Sequence, residues 1–315
     1  MSAKTLSIGT RGSPLALAQA HEVRDLLLAE AAKEGSQLSV DVVVLKTTGD
    51  KIQDRPLSEV GGKGLFTKEL ERALYDDDID LAVHSMKDVA TILPEGLEIV
   101  SILEREDPRD AIISEKYACL DDMPSGAIIG TASLRRQAMV LSKRPDLKVT
   151  LFRGNVQTRL GKLRDGLADA TLLALAGLNR LGQPEIATQV LSTDQMLPAV
   201  AQGAVGIEIR SSDEEARTWA EKLNHAETAT VVSAERALLK GLDGSCRTPI
   251  AGHAILEAGE LILRGWAALP DGTQSLASKI VGAPEEAEEL GLNLARSMRD
   301  ELGQDFLDQI EAIGA

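Results

Sequence analysis

The stretch LSIGTRGSP, residues 6–14, decides the fold class of this 315-residue chain. Its first residues predict a short strand, and the Gly-Thr pair that follows predicts a turn. Ser13 is typical of a helix N-cap, and Pro14 suits the first helical position. The stretch therefore predicts a strand, a tight loop and a helix in immediate succession, with Arg11 in the loop.

The same pattern returns in AIIGTASLRRQA, residues 127–138, with two arginines in the first helical turn. A second pair of stretches also matches, because GGKGLFTKEL at 61–70 and RGNVQTRL at 153–160 each open a helix with a basic, glycine-containing loop. Two such sets predict two similar α/β domains with mainly parallel sheets. We expect the loops at the carboxyl ends of their strands to face a shared crevice, where ligands bind in such folds.

The charge balance limits the partners of the protein. The chain has 34 basic and 49 acidic residues, a net charge of -15 that repels nucleic acid and anionic membranes. Aromatic residues make up only 2% of it, which argues against platforms for stacking bases. Against this background, arginines in glycine-rich loops at helix N-termini predict a site for several carboxylates or phosphates.

The cellular location and the domain organisation are predicted from longer stretches of the sequence. No apolar run approaches the roughly 18 residues of a membrane span, and the start of the chain has no apolar leader, so we expect a cytoplasmic protein. We predict one α/β domain from residues 1–103 and 200–222, a second from 104–199, and a small C-terminal α+β domain from 223–315. In the third domain, short strands precede a final helical stretch at 284–313.

One of the two cysteines stands in LDGSCRTP, residues 242–249. The neighbouring Arg247 favours the thiolate of Cys246, which is the nucleophilic form, whereas Cys119 lies in apolar surroundings typical of a structural thiol. On this pattern alone, a reactive thiol and a small buried residue at a turn both stay open. The two cysteines do not form a disulfide framework, no cluster has zinc-ligand spacing, and we expect no metal.

Seven motifs together resemble the porphobilinogen deaminase (hydroxymethylbilane synthase) family, in that family's order and over nearly the whole chain. They are TRGSPLA (10–16), GGKGLF (61–66), HSMKDV (84–89), EDPRD (106–110), SLRR (133–136), RGNVQTRL (153–160) and GSCR (244–247). The resemblance implies two periplasmic-binding-protein-like α/β domains flanking a cleft, plus a third domain. It also implies a transferase that joins four porphobilinogen molecules, with loss of ammonia, onto a covalent dipyrromethane primer. Hydrolysis then releases hydroxymethylbilane.

The resemblance further implies roles for individual residues. Asp88 is the catalytic carboxylate, and Cys246 attaches the dipyrromethane through a thioether. The positions that resemble cofactor-binding residues are Ser85, Lys87, Asp88, Thr131, Ser133, Arg135 and Arg136. Those that resemble anchors for porphobilinogen and its pyrrole oligomers are Arg11, Ser13, Arg153, Arg159 and Arg180. We expect a monomer without nucleic-acid or membrane partners.

Five further residues need separate treatment. Lys63 and Phe66 belong to a basic loop that, by resemblance, covers the cleft, and for Phe66 packing on a pyrrole face and packing in a helix core stay equally open. His84 follows three apolar residues, which favours a buried, hydrogen-bonded histidine. His253 and Ala90 depart from the family pattern, but neither position carries an assigned charge or nucleophile.

Two other classes of function compete with this interpretation. Paired α/β domains around a basic crevice also describe solute-binding proteins, but such a protein has no use for Cys246 or for a third domain. A cysteine-nucleophile acyl transferase or hydrolase requires a histidine base near the thiol. His253 is close to the thiol in sequence, but no third member of a triad is evident.

Overall fold

The computed structural model describes residues 4–51, 64–244 and 248–314. Its strands are β1 (Lys4–Arg11), β2 (Leu38–Leu45), β3 (Leu81–Ser85), β4 (Leu97–Ile102), β5 (Asp110–Ile113), β6 (Ile128–Gly130), β7 (Lys148–Thr150), β8 (Ala170–Ala174), β9 (Gln189–Val190), β10 (Val205–Arg210), β11 (Ile250–Glu257), β12 (Glu260–Ala268) and β13 (Ser275–Gly282). Its α-helices are α1 (Pro14–Lys33), α2 (Thr48–Lys51), α3 (Lys68–Tyr75), α4 (Leu134–Lys143), α5 (Val156–Arg164), α6 (Leu175–Arg180), α7 (Glu214–Ala220), α8 (Ala226–Gly241), α9 (Ala287–Leu302) and α10 (Gln304–Gly314).

The first sheet has the strand order β2-β1-β3-β10-β4. Strand β1 pairs in parallel with β2 and β3, whereas β10 is antiparallel to both β3 and β4. Four strands therefore run one way and only β10 runs against them. Leu6 and Ile8 of β1 pack with Val23 and Leu27 of α1 in a buried core, because their side chains share one face of the strand and one stripe of the helix.

The second sheet repeats this plan with the order β7-β6-β8-β5-β9. Strand β6 is parallel to β7 and β8, and β5 is antiparallel to β8 and β9. Its core includes Ile129, Val140 and Leu172, all nearly inaccessible to solvent. The predicted fold class of two similar α/β domains with mainly parallel sheets is confirmed, and the antiparallel strand in each sheet is a feature that the sequence pattern did not indicate.

The third sheet is antiparallel, with the order β11-β12-β13. Helix α9 packs on it, and its buried face carries Leu290, Leu294 and Met298. The prediction of one continuous helical stretch over 284–313 is wrong, because the structure has two helices there. The chain breaks at Gly303, whose φ of 75° is a left-handed value that glycine adopts without steric cost, and α10 begins directly after it.

The described residues form two compact units. The first unit contains residues 4–51, 64–106 and 204–229, and the second contains 107–203 and 230–314. The second and third sheets thus share one unit, and the finer three-domain boundaries stay a prediction. No helix in the described ranges combines the length and the apolar character needed to cross a membrane.

Candidate functional site

The loop after β1 in the first unit has the local structure that the sequence predicts. Ser13 caps α1, where the backbone N–H of Ala16 donates to the serine Oγ at 3.3 Å, and Pro14 is the first helical residue. The buried hydroxyl of Thr10 donates to the carbonyl of Ala16 at 3.1 Å and ties the loop to the same helical turn. These bonds fix the backbone on both sides of Arg11, whose side chain is 21% exposed.

Asp88 lies on a short 3-10 turn, Met86–Asp88, that directly follows β3. The buried side chain of Met86 anchors the turn, and the backbone N–H of Met86 donates to the carbonyl of Ala204 at 3.0 Å. The Asp88 carboxylate is 26% exposed, and its Oδ2 is 3.9 Å from Nη1 of Arg11. The structure therefore brings two predicted site residues, 77 positions apart in sequence, to one place in the first unit.

Ser85, the last residue of β3, is held by a residue that sequence reasoning missed. The amide of Gln19 is almost fully buried, with its nitrogen 2.9 Å and its oxygen 3.0 Å from Oγ of Ser85. A glutamine on the apolar stripe of α1, between Ala16 and Val23, is the signal that could have identified it. Lys87 is partly exposed on the adjoining turn.

A buried polar cluster lies on the face of β3 that α3 covers. Nε2 of His84 is 2.8 Å from Oε2 of Glu208, and both side chains are almost inaccessible, which confirms the prediction of a buried, hydrogen-bonded histidine. Thr67 donates to Oε1 of Glu71 at 2.6 Å. Burial raises the pKa of Glu71 above its ordinary value, the carboxylate of Glu208 raises it further, and the bond from Thr67 opposes both effects.

In the second unit, Ser133 caps α4 and accepts from the N–H of Arg136, and Thr131 accepts from the N–H of Ser133 at 3.1 Å. The next two side chains turn inward. Arg135 and Arg136 are both buried against Asp110 of β5, with Nη1 of Arg135 2.8 Å from Oδ2 and Nη2 of Arg136 2.7 Å from Oδ1. Sequence reasoning placed these arginines in the site but gave Asp110 no role.

The Asp110 cluster carries more positive than negative charge. Burial alone would raise the pKa of Asp110, but the two guanidinium groups outweigh it and hold that pKa well below its ordinary value. Gln202 adds a hydrogen bond from Nε2 to Oδ1 of Asp110 at 3.0 Å. Two guanidinium groups thus share one carboxylate. Within the part of the chain that the structure describes, the buried Nε of Arg135 has no hydrogen-bond partner.

The loop before α5 and the helix itself hold two more of the predicted anchors, Arg153 and Arg159 respectively. Asn155 caps α5 by accepting from the N–H and hydroxyl of Thr158, each at 2.9 Å. Arg153 is buried beside this cap, and Nε of Arg159 donates to the carbonyl of Gly154 at 3.0 Å. Elsewhere in the second unit, Nη1 of Arg180 donates to the carbonyl of Gly203 at 3.0 Å.

Two predicted site residues, Lys63 and Cys246, lie outside the described residues. Phe66 is described, and its partly exposed ring lies under the guanidinium of Arg11, with 4.1 Å from Cζ to the ring centroid. Within the described ranges, no group of three or more His, Cys, Asp or Glu side chains is arranged to hold a metal ion.

Comparison with known proteins decides the family. Residues 6–218 match the family model described as porphobilinogen deaminase, dipyromethane cofactor binding domain, and residues 229–300 match porphobilinogen deaminase, C-terminal domain. The chain belongs to the porphobilinogen deaminase family. It is therefore a transferase of tetrapyrrole biosynthesis that joins porphobilinogen units with loss of ammonia on a dipyrromethane cofactor, as the resemblance implied.

Relatives of the porphobilinogen deaminase family match over 83–96% of their own length. The chain is 54% identical to porphobilinogen deaminase of Nitrobacter hamburgensis over 95% of this chain and 94% of the relative. It is 51% identical to the Paracoccus denitrificans protein over 96% of each chain, and 52% identical to the chloroplastic protein of Pisum sativum over 96% of this chain and 83% of the relative. Among solved structures, a periplasmic substrate-binding protein of an ABC transporter from Coxiella burnetii is 13% identical, covers 73% of this chain and 96% of its own, and has a TM-score of 0.44.

The described side chains fit a dipyrromethane. Each of its pyrroles carries an acetate and a propionate, so the group presents four carboxylates. The Asp110 cluster offers a surplus guanidinium charge and an orphaned buried Nε on Arg135, which is the kind of donor that a carboxylate satisfies. In the first unit, the partly exposed Lys87 is a further cation that can pair with a carboxylate.

Proposed function

We propose that Asp88 is the carboxylate that carries out the family reaction in this chain. The observation that supports it is a partly exposed carboxylate on a turn that is fixed by buried Met86 and placed 3.9 Å from a guanidinium. By contrast, Glu71 and Glu208 nearby are buried and already bonded within the protein. Asp88 is the carboxylate of this group that solvent can reach.

The chemistry requires a negative charge at this place. When the C–N bond of the porphobilinogen aminomethyl group breaks, ammonia leaves and an electron-poor methylene-pyrrolenine cation remains. A fixed carboxylate stabilises that cation as it forms. After the new C–C bond forms, the attacked pyrrole carbon loses a proton, and the same carboxylate can accept it as a general base.

We assign to the cofactor the residues that the family resemblance implies. When bound, the dipyrromethane supplies the pyrrole carbon to which the first porphobilinogen unit is joined. Cys246 attaches it through a thioether. The residues that hold its carboxylates and ring nitrogens are Ser85, Lys87 and Asp88 of the first unit, and Thr131, Ser133, Arg135 and Arg136 of the second.

The growing chain places a charge demand on the protein, because each added pyrrole brings two carboxylates. We assign the neutralising contacts to Arg11 and Ser13 of the first unit and to Arg153, Arg159 and Arg180 of the second. The planar fork of an arginine matches the two oxygens of a carboxylate, which makes it more selective than a lysine for this task. Clustered arginines also offset the repulsion that a net charge of -15 exerts on an anionic substrate.

Intact-mass measurement of the purified protein tests the attachment. The wild-type chain should carry an increment equal to two linked pyrroles, and Cys246→Ser should lack it. Cys119→Ser is the matched control and should retain it, because Cys119 is the other cysteine of the chain. A folded Cys246→Ser variant that still carries the increment would contradict the assignment.

The cytoplasmic location, the monomeric state and the lack of nucleic-acid partners stay predictions. Light scattering after gel filtration tests the monomer, and a dimer mass that persists on dilution would contradict it. The competing cysteine-nucleophile function loses its support because the chain belongs to a family with a different activity. The same family assignment removes the non-enzymatic solute-binding alternative.

A further inference from the structure

Arg11 makes a ring contact that neither the family assignment nor the sequence motifs explain. Its guanidinium lies over the ring of Phe66, with 4.1 Å between Cζ and the ring centroid, which is well within the range of a cation–π interaction. The same guanidinium is 3.9 Å from Oδ2 of Asp88, too far for a hydrogen bond. Arg11 thus sits between an aromatic face and the proposed catalytic carboxylate.

The ring of Phe66 is itself held by main chain. A Cβ added at Gly49 would lie 2.2 Å from Cε1 of Phe66, so the ring rests directly against a backbone that only glycine permits. The N–H of Gly49 donates to the carbonyl of Leu65 at 2.9 Å, which fastens the residue before the ring to the same strip of backbone. On the other side, Thr67 is buried and bonded to Glu71 of α3.

A cation–π contact uses the face of a guanidinium, whereas its N–H donors point outward in the plane of the group. The ring can therefore order Arg11 without occupying the direction in which a carboxylate would bind. Ordering a long side chain before its ligand arrives lowers the entropy cost of binding. The ring also opposes a collapse of Arg11 onto Asp88 into a close two-point ion pair, which would occupy both charges.

We propose that Phe66 is a positioning residue that holds the Arg11 guanidinium for a carboxylate of porphobilinogen and keeps it apart from Asp88. This inference rests on the proposed function, because it takes Arg11 as a substrate-binding residue. It adds a third role for Phe66 to the two that the sequence left open, pyrrole packing and helix core.

Two variants remove the ring contact in different ways. Phe66→Leu deletes the ring, and Gly49→Ala displaces it without changing Phe66 or Arg11. Both should raise the KM for porphobilinogen roughly three- to thirtyfold, the range that a cation–π contact supports, with a smaller change in kcat. Gly161→Ala is the matched control, since a Cβ at this helical glycine meets no atom within 4 Å, and it should keep the wild-type KM.

A second measurement reports on Arg11 without turnover. Phenylglyoxal reacts with exposed guanidinium groups, and its rate at Arg11 can be followed by peptide mass spectrometry in the absence of porphobilinogen. The rate should rise in Phe66→Leu and in Gly49→Ala, because the ring no longer shields one face. Phe66→Tyr retains the ring and should keep the wild-type rate at Arg11.

Two results would overturn the proposal. If the rate at Arg11 is the same in wild type, Phe66→Leu and Gly49→Ala, the ring does not position Arg11, and any rise in KM comes from direct contact with substrate. If the rate rises but KM does not, the position of Arg11 is not used in binding. Failure of the proposed function is a separate result, because Arg11→Leu would then keep the wild-type KM for porphobilinogen.

Discussion

Asp110→Asn should destabilise the second unit strongly. The carboxylate is fully buried between Arg135 and Arg136, with ion-pair distances of 2.8 and 2.7 Å, and it accepts from Gln202 at 3.0 Å. The asparagine keeps one neutral oxygen for Arg136 and turns its NH2 group, a hydrogen-bond donor, toward Arg135. Two guanidinium groups are then buried with no anion.

Removing one member of a buried ion pair costs about 3–5 kcal/mol, because the remaining charge stays desolvated. For a unit of this size, 1 kcal/mol corresponds to about 2–4 °C in melting temperature, so the melting temperature of the second unit should fall by roughly 6–20 °C. Scanning calorimetry of the full chain measures this melting temperature. Asp146→Asn is the matched control, since Asp146 pairs with Arg144 at 2.7 Å on the surface, and it should change the transition little.

The pH dependence gives a second check on Asp110. Its folded-state pKa lies below that of the unfolded chain, so its contribution to stability is complete above the unfolded value of about 3.9 and is lost as the pH falls through the folded value. Wild type should therefore lose stability more steeply than Asp110→Asn below about pH 4. A variant that melts within about 2 °C of wild type at pH 7 would refute the assignment of Asp110 as the buried counter-ion.

Three further predictions follow from the described contacts. Glu71→Gln should raise the melting temperature at pH 7, because burial raises the pKa of Glu71 and the ionised form opposes folding; the gain should shrink as the pH falls toward about 4.3, and a constant gain would count against it. Asp88→Glu should keep the mass increment of the cofactor but lose most turnover, measured as product formed per minute, and normal turnover would remove Asp88 from the reaction. Arg159→Leu should stall elongation, so that mass spectra show partial oligomers attached to the chain, and a spectrum identical to wild type would remove Arg159 from substrate binding.

The parts of the fold that the sequence predicted are those set by local interactions. Ser13 and Ser133 cap helices in the structure, because a serine followed by helix-forming residues satisfies backbone N–H groups within three positions. The parallel strands were also predictable, because they follow from strand-loop-helix repeats that are local in sequence. Strands β5 and β10 could not be oriented in this way, since their direction depends on where the chain re-enters each sheet.

The missed partners of the site are distant in sequence. Glu208 is 124 positions from His84, and Gln202 is 92 positions from Asp110. Both come from the segment around β10. A residue pattern with a period of two or of 3.6 carries no information about such pairs, because they form only when an antiparallel strand is inserted beside another.

The arginines show most clearly what sequence reasoning could and could not decide. It grouped Arg11, Arg135 and Arg136 as anion-binding residues because all three follow a Gly-Thr turn at a helix N-terminus. The structure separates them: Arg11 is partly exposed over an aromatic ring, whereas the other two are buried around Asp110. The sequence gives the number of charged residues but not which of them form ion pairs. The local excess of positive charge must therefore be taken from the structure. Around Asp110 that surplus is one guanidinium, and we propose a carboxylate ligand there for this reason, although both arginines already have a partner.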